Sequence, residues 1–357
     1  MQIASVSDRC YRLPMVDTSA KLNLIDVARA AGVSLATASR ALSGAYGVAA
    51  TTRARVLAAA EEMSYVASPE AARLAGGATG RVAVVVPHIS RWFFGTMLEA
   101  LDSVLREADL DVLLYHVGGL DDRREFFERL PARRKVDAVV VVAFPVEEAE
   151  RQRLALMGVQ IIAAGGQNAV YPYVCIDDAA AARQVMAHLL FLGHRRIAMI
   201  EAIDPDQPTR PSGRSSGYYA ALREVGIEPD PDLVVTTDWG GEQGAQAMSR
   251  LLSIAHPPTA VYAHSDEVAI GAIRTIRRAG LRVPDDISIV GIDDHPLASL
   301  IDLTTVRQPV YEQGTTAAHL VLATLRGEVD VERAVVLATE LVVRRSTAPP
   351  RPERRTD

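Results

Sequence analysis

Residues 24–44, LIDVARAAGVSLATASRALSG, predict two short helices joined by a tight turn. Small apolar side chains recur at helical spacing on both sides of that turn, namely Val27, Ala28, Ala31, Ala38, Ala41 and Leu42. Gly32 can adopt the positive φ of a sharp helix exit, and Ser34 is a favourable N-cap for the second helix. Such a pair is typical of a helix-turn-helix, whose second helix fits the major groove of DNA. An ordinary αα-hairpin is the alternative that these residues alone leave open.

A third helix and a short fourth one are predicted after this pair. The third begins at Thr51 or Thr52 and ends near Met63, and its start lacks a capping hydroxyl because Ala49 precedes it. Residues 68–77, SPEAARLAGG, combine an N-cap serine, a proline at the first helical position and closing glycines. A helix this short is unstable alone and needs a surface to fold against, so a simple linker is the alternative.

From residue 81 onward, β-branched apolar runs alternate with helical segments. The predicted strands are 82–86, 111–115, 137–143, 160–164, 197–201, 233–236, 259–263 and 287–291. The predicted helices lie near 93–107, 147–157, 178–192, 214–225, 242–253 and 266–279. Runs that are apolar on both faces indicate parallel sheets covered by helices, and this many strands fits two similar lobes. A ligand would then bind in the crevice at the carboxyl ends of the strands.

These patterns predict an α/β protein with a helical head. The expected parts are a flexible tail (1–22), a helix-turn-helix domain (23–66), a hinge helix or linker (67–80), a two-lobed domain (81–347) and a disordered tail (348–357). The 357 residues are 49% hydrophobic and 23% charged, as in soluble globular proteins. The net charge is −6, yet residues 21–80 carry six basic and four acidic side chains. A mildly basic head on an acidic body suits contact with phosphates at one end only.

Several classes of protein are disfavoured. The first residues lack the continuous apolar region of a signal peptide, and the apolar runs are too short for a membrane span, which predicts a cytoplasmic protein without a membrane partner. Cys10 and Cys175 form no disulfide framework, and no histidine–cysteine cluster has metal-ligand spacing, so neither metal nor cofactor is expected. Residues 213–217, GRSSG, match a nucleophile elbow but follow a loop, which argues against an enzyme. The added head argues against a periplasmic binding protein.

Blocks of residues along most of the chain resemble the lactose-repressor family of bacterial transcription regulators. In the head they are Asp26-Val27-Ala28, Ala31-Gly32-Val33-Ser34, Thr37, Ser39-Arg40, Thr52-Arg53, Ala58-Ala59 and Tyr65. In the body they are GHRRI (193–197), GY (217–218), DE (266–267), VPDDIS (283–288), TTVRQP (304–309) and TELVVR (339–344). The resemblance implies a homodimer whose heads enter successive major grooves of a pseudo-palindromic operator in double-stranded DNA.

The resemblance also implies which residues contact DNA, namely Ser34, Leu35, Ala36, Thr37, Ser39, Arg40 and Leu74. Arg40 can pair with guanine, whereas Leu35 and Ala36 offer only apolar contact, for instance to a thymine methyl. The three hydroxyl side chains would hold phosphates, which positions the helix without specifying a sequence. Leu74 matches a hinge-helix leucine that inserts into the minor groove and kinks the duplex. Its alternative role is a small apolar contact under the core.

The body resembles the periplasmic sugar-binding fold, with two lobes joined by crossovers expected near 172–178, 300–304 and 306–310. The implied effector residues are Phe93, Arg214, Trp239, Ser265 and Asp293. In this interpretation Arg214 grips the effector, Asp293 accepts its hydroxyls or amines, and the two aromatic side chains line or stack on it. One arginine, one aspartate and facing aromatics suit a sugar or a nucleoside.

Some residues depart from the family pattern around the expected cleft. Arg91-Trp92 stand where the family has Asn-Pro, and Ser265 and Asp178 replace asparagines. The resemblance as a whole implies a repressor controlled by a sugar or sugar-like effector, whereas these departures indicate an unusual effector, for instance an anionic one. The alternative is a corepressor-dependent regulator that responds to a nucleobase, a nucleoside or an anionic ligand.

Overall fold

The computed structural model describes residues 23–42, 46–65, 78–166, 170–203, 212–328 and 333–352. The chain separates into two compact units, with the division between residues 79 and 80. The predicted N-terminal tail and most of the predicted hinge, Leu74 included, lie outside the described residues. No helix within the described ranges is long and apolar enough to cross a membrane.

The first unit contains three helices, α1 (Leu24–Ala30), α2 (Leu35–Leu42) and α3 (Ala50–Glu62). The Asn23 side chain caps α1, and Gly32 takes a φ of 62° in the turn that follows. Ser34 Oγ accepts a hydrogen bond from the Thr37 N–H at 3.2 Å, which is the predicted cap of α2. Helix α3 begins after Ala49 without a side-chain cap, also as predicted. The turn and the starts of α2 and α3 thus follow from local sequence.

The three helices share a core of small side chains. Its buried members are Val27, Ala28, Ala31, Ala38, Ala41, Val56 and Ala60. Three of the four side chains that α1 and α2 bury are alanines, and side chains this small let two helices approach closely. The predicted inward positions of the helix pair therefore lie inside this unit, and the rest of α2 is left for the surface.

The second unit contains two six-stranded sheets within the described residues. The strands are β1 (Arg81–Val86), β2 (Asp111–His116), β3 (Ala138–Val142), β4 (Gln160–Ala164), β5 (Tyr173–Ile176), β6 (Ile197–Ala202), β7 (Val234–Thr237), β8 (Ala260–Ala263), β9 (Ser288–Asp293), β10 (Thr304–Arg307), β11 (Ala334–Leu337) and β12 (Glu340–Val342). The first sheet has the order β11-β5-β4-β3-β1-β2, and the second has β12-β10-β9-β8-β6-β7. Pairing is parallel except between β10 and β12. All eight strands expected from the sequence are present.

Helices cover both faces of each sheet. They are α4 (Trp92–Glu107), α5 (Leu120–Arg129), α6 (Glu148–Ala155), α7 (Asp178–Phe191), α8 (Gly213–Glu224), α9 (Gly241–Leu252), α10 (Asp266–Arg278), α11 (Pro296–Leu300) and α12 (Val310–Leu325). Alternate residues of β1 show why its apolar run is continuous. Val84 packs with α4 and α12, whereas Ala83 and Val85 pack with α5 and α6. The predicted helix-covered parallel sheets are therefore correct.

The chain passes between the two lobes at residues 176–178, 307–310 and 337–340. The predicted crossovers at 172–178 and 306–310 agree with the first two. The crossover predicted at 300–304 is wrong, because β9 and β10 pair within the second sheet and α11 simply connects them. The third crossover instead joins β11 to β12.

The predicted C-terminal tail is ordered at its start. The Ala348 N–H donates to Ser288 Oγ at 3.0 Å, and His194 Nε2 lies 2.9 Å from the Ala348 carbonyl. Arg351 also forms an ion pair with Asp286. The expectation of disorder from residue 348 is therefore wrong as far as residue 351, because these bonds fasten the segment to the second lobe.

Candidate functional sites: the α2 surface and the interlobe cavity

The residues of α2 expected to contact DNA form one outward surface. Leu35 is 49% exposed, Ala36 and Arg40 are also exposed, and the two hydroxyl residues beside them are half-buried. Ser34 Oγ lies 2.8 Å from Thr37 Oγ1, so both hydroxyls are held at the start of the helix. A helix N-terminus with hydroxyls and free amide groups is suited to phosphate oxygens. Ser39 and Arg40 follow one turn later on the same helix.

A cavity of about 590 Å³ lies between the two lobes. It is built at the carboxyl ends of strands from both sheets: Gly165 follows β4, Glu201 lies near the end of β6, His264 follows β8 and Asp293 ends β9. The five residues predicted to bind an effector, Phe93, Arg214, Trp239, Ser265 and Asp293, all line this cavity. Open α/β sheets bind ligands in this position, as the sequence analysis expected.

Arg214 is held firmly at the start of α8. Its Nε donates to Asp178 Oδ1 at 2.8 Å, and its Nη1 donates to the His264 carbonyl. Burial opposes the charge of Arg214, but Asp178 and Asp293 outweigh it and raise the pKa of the guanidinium above its usual value. A Cβ at Gly217 would lie 2.6 Å from the Ala179 carbonyl oxygen, so the glycine permits α8 to pack on α7. The glycine of the GRSSG pattern therefore serves packing here.

Asp293 combines an unusual backbone with a strongly perturbed carboxyl group. Its φ is 138°, which non-glycine residues seldom adopt and which is commonly retained at functional sites. Gln308 Nε2 donates to Asp293 Oδ1 at 2.5 Å, and Gln313 Nε2 donates to Gln308 Oε1 at 3.2 Å. Burial raises the pKa of Asp293 to about 8, with Arg214 opposing the rise and Asp266 adding to it. The carboxyl therefore keeps its proton to a higher pH than an ordinary aspartate does.

Two aromatic residues of the cavity have close partners of their own. Phe93 packs across Gly165, where a Cβ would come within 2.8 Å of the phenyl Cζ. The guanidinium carbons of Arg91 and Arg214 lie 5.4 and 5.9 Å from the centre of the Trp239 ring. Stacking of a ligand on Trp239, as the resemblance implies, would have to share this ring with the two cations.

Ser265 and His264 connect β8 to α10, and their polar side-chain atoms differ in hydrogen bonding. Ser265 Oγ accepts from the Val268 N–H at 3.3 Å and so caps α10. His264 is completely buried, and neither ring nitrogen makes a hydrogen bond. Burial and the nearby Arg214 charge lower the pKa of His264 to about 3, against a smaller opposing effect of the Ala202 carbonyl. The imidazole is therefore neutral at physiological pH.

Several cavity residues were not selected from the sequence, namely Glu201, His264, Glu267 and Gln308. Glu201 accepts hydrogen bonds from Ser215 Oγ and, at 3.0 Å, from Thr236 Oγ1. Glu201 and His264 lie at the carboxyl ends of two strands that the sequence predicts. That position could have identified them as cavity residues. Asp178 and Arg91 were noted only as departures from the family pattern. No group of His, Cys, Asp and Glu within the described ranges could hold a metal ion.

Two family models match different parts of the chain. The one described as bacterial regulatory proteins, lacI family, matches residues 23–68, and the one described as a periplasmic binding protein-like domain matches residues 186–347. The HTH-type transcriptional regulator DegA of Bacillus subtilis (strain 168) is 33% identical over 339 residues, which cover 92% of this chain and 99% of DegA.

Solved structures agree with the sequence relatives. A complex of the transcriptional regulator CelR with cellobiose has a TM-score of 0.68 at 31% identity and covers 91% of this chain and 99% of its own. A Lac repressor dimer bound to operator and the anti-inducer ONPF has a TM-score of 0.79 at 28% identity, with coverage of 92% and 99%. Both the head and the two-lobed body of this chain thus have counterparts in single proteins.

Proposed function

Since this chain belongs to the lacI family of bacterial regulatory proteins and is a DNA-binding transcriptional regulator, we propose that it is a repressor controlled by a sugar-like effector. The observation that carries the proposal is the interlobe cavity, where all five expected effector residues meet. The protein would act in the cytoplasm, where its DNA lies.

In this proposal the head reads an operator through α2. Arg40 pairs with guanine, and Leu35 and Ala36 contact apolar groups such as a thymine methyl. The hydroxyls of Ser34, Thr37 and Ser39 hold phosphates and fix the register of the helix. The exposed outer face of α2 supports these roles, because Leu35, Ala36 and Arg40 reach solvent in the folded head.

We propose that two copies bind a pseudo-palindromic operator, one half-site each. The Lac repressor structure, a dimer on operator DNA, supports this arrangement. Leu74 would insert into the minor groove between the half-sites, a role that rests on the family resemblance. Replacing Leu74 with Ala should weaken binding to the operator far more than binding to random DNA, and equal losses on both would contradict the role.

The effector would bind in the cavity through Arg214 and Asp293, with Phe93, Trp239 and Ser265 forming its walls. The CelR–cellobiose complex supports a sugar as the ligand class. The alternative, a nucleobase, nucleoside or anionic ligand, is not favoured. An anion in particular would face the carboxylates that line the cavity, those of Asp178, Glu201 and Glu267.

Control of DNA binding requires that the effector prefer one arrangement of the lobes. The cavity is lined by both lobes, and Gln308 lies on a crossover while bonding Asp293. A ligand that bonds Asp293 therefore competes with, or adds to, a contact of the segment that joins the lobes. The effector would act by shifting the population of lobe arrangements, and through it the two heads on DNA.

The test is selection of bound fragments from random duplex DNA with the full-length protein, repeated with a panel of sugars. We expect an enriched pseudo-palindrome and at least one sugar that changes its affinity. Arg40→Ala should relax base preference at one position of each half-site, at a cost of about 1–3 kcal/mol. The matched control is Arg55→Ala, which removes the same charge from the exposed surface of α3. Failure to enrich any sequence, with or without the panel, would contradict the proposal.

A further inference from the structure

Two consecutive residues at the start of α4 contact the opposite lobe. The guanidinium carbon of Arg91 lies 5.4 Å from the centre of the Trp239 ring. The ring centres of Trp92 and His295 lie 5.2 Å apart, with the rings inclined at 58°. Trp239 lies between β7 and α9, and His295 directly precedes α11, so both partners belong to the second lobe. Neighbouring residues of the first lobe thus make two separate ring contacts with the second.

The contact between Arg91 and Trp239 lies away from the segments that join the lobes. The crossovers involve β5 and β11 at one edge of the first sheet, and β10 and β12 at one edge of the second. Trp239 follows β7 at the opposite edge of the second sheet, and Arg91 follows β1, next to the opposite edge of the first. Two lobes joined in this way can turn about their crossovers. Such a motion would separate Arg91 from Trp239.

Each lobe holds its own side of these contacts in place. Trp92 packs against the core of the first lobe, and Trp239 packs against the core of the second. His295 Nδ1 accepts a hydrogen bond from the Leu297 N–H at 3.0 Å, and the His295 N–H donates to Asp266 Oδ2 at 2.8 Å. The rings are therefore positioned before the lobes meet, which lowers the entropy that the contacts cost.

We propose that Arg91 and Trp92 form a latch that holds the two lobes together over the cavity before an effector binds. Cation–π contacts and aromatic pairs are favourable beyond the burial of their surface, and turning of the lobes breaks both at once. Arg91, Trp92 and Trp239 all line the cavity, so an effector enters when the latch opens. The latch consists of the protein's own side chains and is independent of the class of effector.

The test measures how often the cavity opens in the full-length protein without added ligand. Ala202 lines the cavity and is 3% exposed, so Ala202→Cys introduces a thiol that becomes reactive when the cavity opens. Its rate of reaction with dithiobis(nitrobenzoate) follows the population of the open form when opening and closing are fast. Cys10→Ser removes one native thiol, and the other, Cys175, is 2% exposed in β5 and reports unfolding. Mass spectrometry of labelled peptides separates the two rates.

Two substitutions weaken the latch from opposite lobes. His295→Asn removes the ring but keeps an acceptor for the Leu297 N–H, and it should speed labelling of the introduced thiol about 2–10-fold, as loss of an aromatic pair implies. Arg91→Met keeps an unbranched side chain but removes the charge over Trp239, and it should speed labelling ~2-fold or more. Because one opening breaks both contacts, the two effects should multiply in the double variant.

The matched controls make the same exchanges at exposed positions. They are His256→Asn in the second lobe and Arg106→Met in the last turn of α4, and both should leave the labelling rate unchanged. Cys175 should react equally slowly in every variant. Equal acceleration of both thiols would mean lost stability instead of opening, and would refute the latch. An unchanged rate for the introduced thiol in both latch variants would also refute it, while control of DNA binding by an effector would stand.

Discussion

Asp293→Asn should make the second unit more stable than it is in the unchanged protein. The difference in the free energy of unfolding should grow as the pH rises. The buried carboxyl has a pKa raised to about 8, so it keeps its proton in the folded state at pH values where the unfolded chain has lost it. Stability that depends on this proton is fully present below ~4 and is lost as the pH rises toward 8. The Asn side chain resembles the protonated form and removes this dependence.

The size of the effect follows from proton linkage. One proton difference between the folded and unfolded states changes the free energy of unfolding by at most ~1.4 kcal/mol per pH unit. Between pH 5 and pH 7 the unchanged protein should therefore lose up to ~2–3 kcal/mol relative to Asp293→Asn. The substitution keeps the acceptor that Gln308 Nε2 bonds at 2.5 Å, so the comparison isolates the charge.

The assay is urea unfolding at several pH values, followed by tryptophan fluorescence without added ligand. The chain has two tryptophans, Trp92 and Trp239, and both line the cavity, so the signal reports the second unit alone. The difference in unfolding free energy between the two proteins should widen steadily from pH 5 to pH 8. Parallel curves across that range would refute the reasoning, because they would mean that Asp293 ionises alike in the folded and unfolded chains.

The neighbouring Asp294 provides a control of opposite sign. It forms ion pairs with Arg307 at 2.8 Å and Arg344 at 2.6 Å. Burial alone would raise the pKa of Asp294, but these hydrogen bonds and charges outweigh it and lower the pKa. Its stabilising contribution is therefore complete above ~4 and is lost only in stronger acid. Asp294→Asn should destabilise the protein by a constant amount between pH 5 and pH 8.

Three other predictions concern helix capping, packing and effector binding. Ala49→Ser should supply the missing cap of α3 and stabilise the head by about 0.5–1 kcal/mol in chemical unfolding followed by circular dichroism, whereas no gain would contradict the cap argument. Gly271→Ala would bring a Cβ within 1.7 Å of the Gly241 carbonyl oxygen, so it should lower the free energy of unfolding of the second unit by ~1–3 kcal/mol or more. The control is Gly95→Ala, whose added Cβ would have no atom within 4 Å and which should leave that free energy unchanged or raise it. Arg214→Lys keeps the charge but loses the fork that reaches two acceptors, so effector affinity should fall ~10-fold or more in titration, and an unchanged affinity would contradict the bidentate role.

The parts of the fold that could be predicted are those with a strong local period. Apolar runs such as 82–86 and 197–201 identified strands, and the small residues of 24–44 identified the helix pair. Helix α5 was missed because its sequence, LDDRREFFER, is mostly charged and buries only a narrow stripe. Strands β11 and β12 were missed because they are short and half-exposed, so their place is decided by the sheets they join.

The cavity could be predicted only in part, because its chemistry depends on which lobe residues face one another. Arg214 and Asp293 were found by matching family positions, and both line the cavity. Glu267 could not be distinguished from a solvated glutamate at a helix start, since its surroundings come from distant segments. Trp239 lines the cavity, and its contact with Arg91 joins the two lobes, which neither local sequence reveals.

The same residues that would bind an effector also tie the two lobes together. Asp293 bonds Gln308 on a crossover, and Gln308 in turn accepts from Gln313 in the first turn of α12. Helix α12 packs on α4, the helix whose first residue, Trp92, lies 5.2 Å from the His295 ring of the second lobe. A ligand that competes for the Asp293 carboxyl group therefore acts on a contact that depends on the arrangement of the lobes. A population shift requires a ligand that binds two lobe arrangements with different affinities. Here that difference in affinity arises from hydrogen bonds that the protein already makes.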